Sequence, residues 1–158
     1  MIQTRKASLK DGPVIIGLLS AFYNFSDPEE AWEVFHREMS LHYHFRVAEE
    51  EGEILGVMSW RMHGLPKHGI MKLKRIAVAR EYPDREAVLE MLFDSTVADA
   101  DYYYRQQESQ LRKVYIVTPQ QNSFVQSFME EKGMTLEAVL RSHYYQGRDE
   151  CMYSLFTA

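Results

Sequence analysis

Apolar residues recur along this chain with two periods, and the switches between them divide it into elements. Residues 2–7 alternate one by one, the period of a strand. Residues 8–12 form a turn, with Asp11 placed to cap the helix that Pro13 helps to start. Val14, Ile15, Leu18, Leu19 and Phe22 then fall at helical spacing and predict one buried stripe. A second helix opens at Asp27-Pro28-Glu29-Glu30, with a cap, a proline in the first turn and acids near the positive end. Trp32, Phe35 and Met39 mark its expected buried face.

Residues 44–49 and 54–62 read as a hairpin around the polar turn Glu50-Glu51-Gly52-Glu53. Residues 64–69 form a loop containing Pro66, and the strand 70–79 follows. A tight turn leads into a long helix from Arg85 to about Gln107, with Val88 and Leu92 toward the core. A short β-branched strand covers 112–117 and is ended by Pro119. The helix 122–132 is stopped by Gly133. Strands 135–145 and 150–156 flank the turn Gln146-Gly147-Arg148-Asp149. Strands and helices alternate only in the middle of the chain, so a mixed α/β sheet covered by helices is expected.

Composition adds limits. The 158 residues suit one domain with a sizeable core. The chain is 46% hydrophobic and 26% charged, as an ordinary globular protein is. A net charge of −5 without a basic block argues against sequence-independent nucleic-acid binding, which rests on Lys and Arg at phosphates. The single cysteine, Cys151, excludes an internal disulfide and fits a reducing compartment. No signal peptide and no bilayer-length apolar run is visible, so no membrane partner and a cytoplasmic location are expected.

Three stretches carry a resemblance to a known family. The Asp11 region leads into an amphipathic helix. Ile76-Ala77-Val78-Ala79-Arg80-Glu81-Tyr82 is similar to a V-x-P-E-Y strand ending. Asn122-Ser123-Phe124-Val125-Gln126-Ser127-Phe128-Met129-Glu130-Glu131-Lys132-Gly133-Met134 is similar to an N-x-x-A-x-x-(L/F)-Y-x-x-x-G-F helix. In this order and spacing they resemble the GNAT acetyltransferase superfamily over nearly the whole chain. The resemblance implies a mostly antiparallel sheet of about seven strands, with one splayed parallel pair and about four flanking helices. It implies acetyl-CoA as cosubstrate, lying in the splay between the strands at 70–79 and 112–117. The backbone at Ile76, Ala77 and Val78 would bind pantetheine. The turn and helix start at Asp84, Arg85, Glu86, Ala87 and Val88 would bind pyrophosphate through N–H groups and the helix dipole. Arg80 and Asn122 would join the cofactor site. The acceptor would be a small-molecule or peptide amine, acetylated by direct transfer.

The chain departs from that family where the phosphates should sit. Glu86 and Val88 stand where the Q/R-x-x-G-x-G/A turn has its glycines. Pro83 has no N–H to offer, Glu86 would face a negative ligand, and Asp84 can cap the helix itself. Arg80 and Arg85 are positioned to offset those losses by direct phosphate pairing. Met129 stands where many members carry a proton-donating tyrosine, and methionine has no proton to give. Tyr144 and Tyr82 are the candidates for that role, with Tyr145 beside them. Two readings stay open: an N-acetyltransferase with an atypical phosphate turn, and a non-catalytic GNAT-fold binding or assembly module that has lost CoA binding.

Other constellations read as ordinary structure. His42 and His44 have no ligand partner at metal-site spacing. His63 and His68 flank a loop. Glu29, Glu30, Glu33 and Glu38 read as a solvated helix face. Tyr102-Tyr103-Tyr104 cannot all point inward on a helix, so an exposed ring and a homodimer contact are expected there. Cys151 reads as a small core residue.

Overall fold

A computed structural model of the chain describes residues 1–157. Among these residues seven strands and four α-helices run in the order β1 (Gln3–Lys6), α1 (Gly12–Phe22), α2 (Pro28–Ser40), β2 (His44–Glu50), β3 (Glu53–His63), β4 (Ile70–Val78), α3 (Arg85–Gln106), β5 (Lys113–Pro119), α4 (Ser123–Glu131), β6 (Thr135–Tyr145) and β7 (Arg148–Phe156). The strands form one mixed sheet in the order β1-β2-β3-β4-β5-β7-β6. Its one recorded parallel ladder pairs β4 with β5, from Ile70 opposite Lys113 to Leu73 opposite Ile116. Both strands run on past that ladder, β4 to Val78 and β5 to Pro119. No helix among the described residues is long and apolar enough to cross a membrane.

The chain divides into two compact units. The first is Met1–Arg61 with Arg75–Asp99; the second is Met62–Lys74 with Ala100–Ala158. In the first, α1 and α2 pack Ile15, Ile16, Leu19, Ala31 and Phe35 against Phe45, Val47, Val57 and Ala77. The apolar stripe of α1 is rotated from the sequence expectation: Ile16 is buried and Val14 exposed. Helix α3 packs on β3 at Gly56, where a Cβ would meet the Val88 and Leu92 side chains at 3.0 Å. Glycine there lets the helix approach the strand backbone, which explains why Val88 is fully buried.

Caps follow residue chemistry with one exception. Asp27 accepts the Glu30 N–H at 2.8 Å, as its position before Pro28 implies. Asp11 does not cap α1 with its side chain. Its carboxylate instead takes the Ser8 N–H at 2.8 Å and both Arg5 nitrogens at 2.8 and 2.9 Å. The charged partner wins because a bidentate guanidinium pair outweighs one neutral donor.

The second unit buries Met71, Leu73, Tyr104, Val114, Ile116, Phe128 and Met129. Of the three tyrosines, Tyr102 is 66% exposed and Tyr104 is fully buried. The Tyr104 hydroxyl donates to the Ile70 carbonyl, and burial pushes it up to about 12. Cys151 is buried on β7, which raises its thiol above the usual range.

Candidate active site

The candidate site is built on the end of β4. The Ala79 N–H donates to the Leu55 carbonyl of β3 at 2.8 Å, so odd-numbered backbone groups turn toward β3. Ile76 and Val78 therefore present their N–H and C=O groups to the opposite edge. Side chains meet them there. The Ile76 N–H donates to the Tyr23 hydroxyl at 2.9 Å, and the Tyr23 O–H points back to the Ile76 carbonyl at 3.5 Å. Arg85 Nη2 donates to the Val78 carbonyl at 3.2 Å.

Both sealing side chains are themselves held. Arg75 lies over the Tyr23 ring at 4.8 Å and near Phe25 at 5.9 Å, both cation–π distances. Arg75 forms a two-point ion pair with Glu38 of α2, Nε to Oε1 at 3.1 Å and Nη2 to Oε2 at 2.6 Å. Glu38 is only 5% exposed, which corrects its reading as part of a solvated face. A buried carboxylate must be paired, and Arg75 pairs it. Burial alone would lower the Arg75 value, but the Glu38 contacts raise it overall. Arg80 and Arg85 share the Phe22 ring at 4.7 and 5.6 Å. Arg80 Nη2 also donates to the Ala21 carbonyl at 3.1 Å, a cation at the negative end of α1. Burial, then the charge of Arg80, lowers the Arg85 value.

The turn into α3 is self-capped. Asp84 Oδ1 accepts the Ala87 N–H at 3.1 Å. Glu86 is exposed, Ala87 half-buried and Val88 buried. Ile76, Ala77, Val78, Arg80, Tyr82, Asp84 and Arg85 thus form one continuous run in the first unit. Tyr82 points its hydroxyl at the Glu50 carboxylate, 3.4 Å from each oxygen. Burial and then Glu50 raise its value, so it is protonated at neutral pH.

Asn122 and Tyr144 lie in the second unit. Asn122 Oδ1 caps α4 by accepting the Val125 N–H at 3.3 Å. Tyr144 is half exposed, edge-on to His143 at 4.5 Å. Met129 is wholly buried. His63 Nδ1 lies 2.6 Å from the Tyr115 hydroxyl, and His68 accepts the Leu65 N–H. His44 stacks on Trp60 at 4.3 Å, and burial lowers its value.

Sequence reasoning missed Tyr23 and the Glu38–Arg75 pair. Tyr23 belongs to the aromatic-rich stretch Phe22-Tyr23-Asn24-Phe25 that begins at the last residue of α1, which was a usable signal. Glu38 and Arg75 are far apart in sequence, and nothing local announces their pairing.

No protein-family model matches the chain, and no curated protein matches it. Solved structures do. The ribosomal-protein-S18-alanine N-acetyltransferase of Escherichia coli is similar at a TM-score of 0.79 and 13% identity, over 100% of this chain and 95% of that one. A protein of Desulfovibrio desulfuricans assigned to the GNAT acetyltransferases is similar at 0.76 and 20% identity, over 100% of both chains. An N-acetyltransferase of Staphylococcus aureus Mu50 is similar at 0.75 and 15% identity, over 99% and 98%. The chain therefore has the GNAT acetyltransferase fold; at these identities the likeness is one of fold.

Proposed function

We propose that the chain is an N-acetyltransferase that uses acetyl-CoA as cosubstrate and acetylates a small-molecule or peptide amine by direct transfer. The observation that supports this is the β4 edge at Ile76 and Val78. Its backbone groups are held by two side chains, Tyr23 and Arg85, and side chains can rotate away where a paired strand cannot. That edge fits the amide-rich pantetheine arm, which would pair with the same N–H and C=O groups. Arg80 and Arg85 would meet the phosphates, each having further donors on a five-donor guanidinium.

Acetyl-CoA supplies an acyl group activated as a thioester. The residues around it must orient the amine, take its proton and return a proton to the departing sulfur. Met129 cannot return one. Tyr82 and Tyr144 remain the donor candidates, and Tyr82 retains its proton at neutral pH.

A second reading is favoured by the turn. Asp84 already takes an N–H that a pyrophosphate would use, and Glu86 adds negative charge beside it. On that reading the fold serves as a binding or assembly module without CoA. Calorimetric titration with acetyl-CoA and with CoA separates the two. Micromolar binding with release of CoA in the presence of an amine panel supports the enzyme. No heat and no thermal stabilisation at millimolar ligand overturns it. Glu86→Gly is the informative variant under the second reading, since it removes the charge and leaves the core intact; Val88 is packed on Gly56 and must stay.

A further inference from the structure

The face of the sheet under α1 and α2 carries two arginines, and they are held differently. Val57 of β3 packs in the core of α1 and α2, and strand side chains alternate between faces, so Ser59 and Arg61 look to the same side. Ser59 Oγ accepts the Arg75 N–H at 3.1 Å. Arg75 of β4 therefore lies beside Ser59, and Arg61 follows about 7 Å further along β3. Glu38 takes the Arg75 guanidinium at two points and is itself too buried to meet a ligand.

Arg61 has no such partner. It is half-buried, and its guanidinium lies over the Tyr43 ring at 5.8 Å. Its buried Nε meets no hydrogen-bond acceptor, and no carboxylate pairs with it among the described residues. The other half-buried arginines, Arg5, Arg46, Arg75, Arg85 and Arg148, each reach a carboxylate or carbonyl oxygen. A cation that loses water without gaining an acceptor costs free energy. Arg61 is thus the group on this face that an incoming anion satisfies.

Three half-buried rings stand around the two cations. Tyr23 and Phe25, at the end of α1, lie 4.8 and 5.9 Å from Arg75. Tyr43, after α2, is held by its N–H donating to the Glu38 carbonyl at 3.0 Å. The charges of Glu38 and Arg75 cancel, which leaves that of Arg61 uncompensated. Ile76 follows Arg75 directly, and its N–H, covered by the Tyr23 hydroxyl, belongs to the edge that the cosubstrate would take. An amine beside Arg75 and Tyr23 is next to the thioester, with Arg61 placed to hold the rest of the same small molecule.

We infer that the acceptor is a small amine that carries a carboxylate, with the acid paired to Arg61 and the amine turned toward Ile76. This inference rests on the acetyltransferase reading. The amine nitrogen bonds to the acetyl carbon and gives up one proton; the carbon–sulfur bond breaks, and the departing thiolate takes one proton. A polyamine is repelled by the same arginine, so Arg61 also rejects acceptors.

The test begins with calorimetric titration of the full chain with acetyl-CoA. Release of the CoA thiol is then followed with the twenty L-amino acids, β-alanine and 4-aminobutyrate, each beside its own carboxamide, which lacks the negative charge. The best acid is expected to exceed its amide about thirtyfold in kcat/KM, the lower end for leaving a desolvated charge unpaired. Arg61→Gln is expected to raise KM for the acid by a similar factor with kcat little changed, and Arg61→Lys to keep part of the preference; thermal melts check the fold of both. Acetyl-CoA that binds but is turned over with no acid, or no faster with acids than with their amides, overturns the inference and leaves acetyl-CoA use in place. A folded Arg61→Gln that keeps the full preference also overturns it. No binding of acetyl-CoA overturns the acetyltransferase reading, and the inference with it.

Discussion

Replacing Tyr23 by Phe separates stability from ligand binding, and the two should move in opposite directions. The substitution removes the hydroxyl that accepts the Ile76 N–H at 2.9 Å. It keeps the ring that stacks under Arg75 at 4.8 Å and contacts Phe25 at 6.3 Å. The loss is the 2.9 Å hydrogen bond together with the long 3.5 Å contact to the Ile76 carbonyl, about 1 kcal/mol net. For a chain of this length that lowers Tm by roughly 2–4 °C. If the pantetheine arm must displace the hydroxyl from Ile76, the same ~1 kcal/mol no longer opposes binding. Acetyl-CoA affinity should then rise about fivefold, since 1.4 kcal/mol is tenfold. Thermal melts and calorimetric titrations on wild type and variant measure both quantities. A variant that melts lower and binds acetyl-CoA equally or more weakly refutes the reasoning, because Tyr23 would then not occupy the ligand's place.

Three further outcomes follow from the packing. Glu38→Ala leaves the Arg75 cation half-buried without its carboxylate and should cost about 3 kcal/mol in urea unfolding, whereas the double change Glu38→Ala with Arg75→Met should cost less than the single one. Asp11 has a folded value near 2 against an ordinary 3.8, set first by its Arg5 hydrogen bonds. A depressed carboxylate contributes stability that is present above its unfolded value and lost as pH falls through the folded one. Stability should thus drop by about 1 kcal/mol between roughly pH 4 and pH 2, after allowance for the exposed Arg5 side chain, and Asp11→Asn should abolish that part of the acid slope. Gly69→Ala should destabilise by at least about 2 kcal/mol by thermal melt, since Gly69 has φ 65° and a Cβ would fall 2.2 Å from the Gln110 carbonyl oxygen.

Much of the fold was legible because periodicity and turn chemistry are local. Asp27 before Pro28, the β-branched strand around Val114 to Val117, and the glycine after α4 each announce an element boundary in adjacent residues. The strand order was not readable from pattern and was not anticipated; the parallel pairing of β4 with β5 came with the family likeness. Of the candidate site, only the β4 side was picked out from the sequence. The run from Ile76 to Val88 was picked out, and the capping role of Asp84 follows from its place before a helix. What seals that run arrives from elsewhere in the chain. Tyr23 reaches Ile76 across 53 residues, and Glu38 reaches Arg75 across 37. A lone glutamate on a helix has the same signature whether its partner is water or a buried guanidinium, so Glu38 read as surface.

The boundary between the two compact units carries a consequence for biosynthesis. The chain passes from one unit to the other between residues 61 and 62, 74 and 75, and 99 and 100. The second of these falls inside β4 and the third inside α3. Neither unit is therefore a continuous stretch that a ribosome could finish and release in turn. The first cannot close until Asp99 has emerged, and residues 70–73 wait for β5. A nascent chain arrested between those points holds Met71 and Leu73, buried in the finished protein, without their neighbours, which makes late arrest the stage at which chaperone binding should peak.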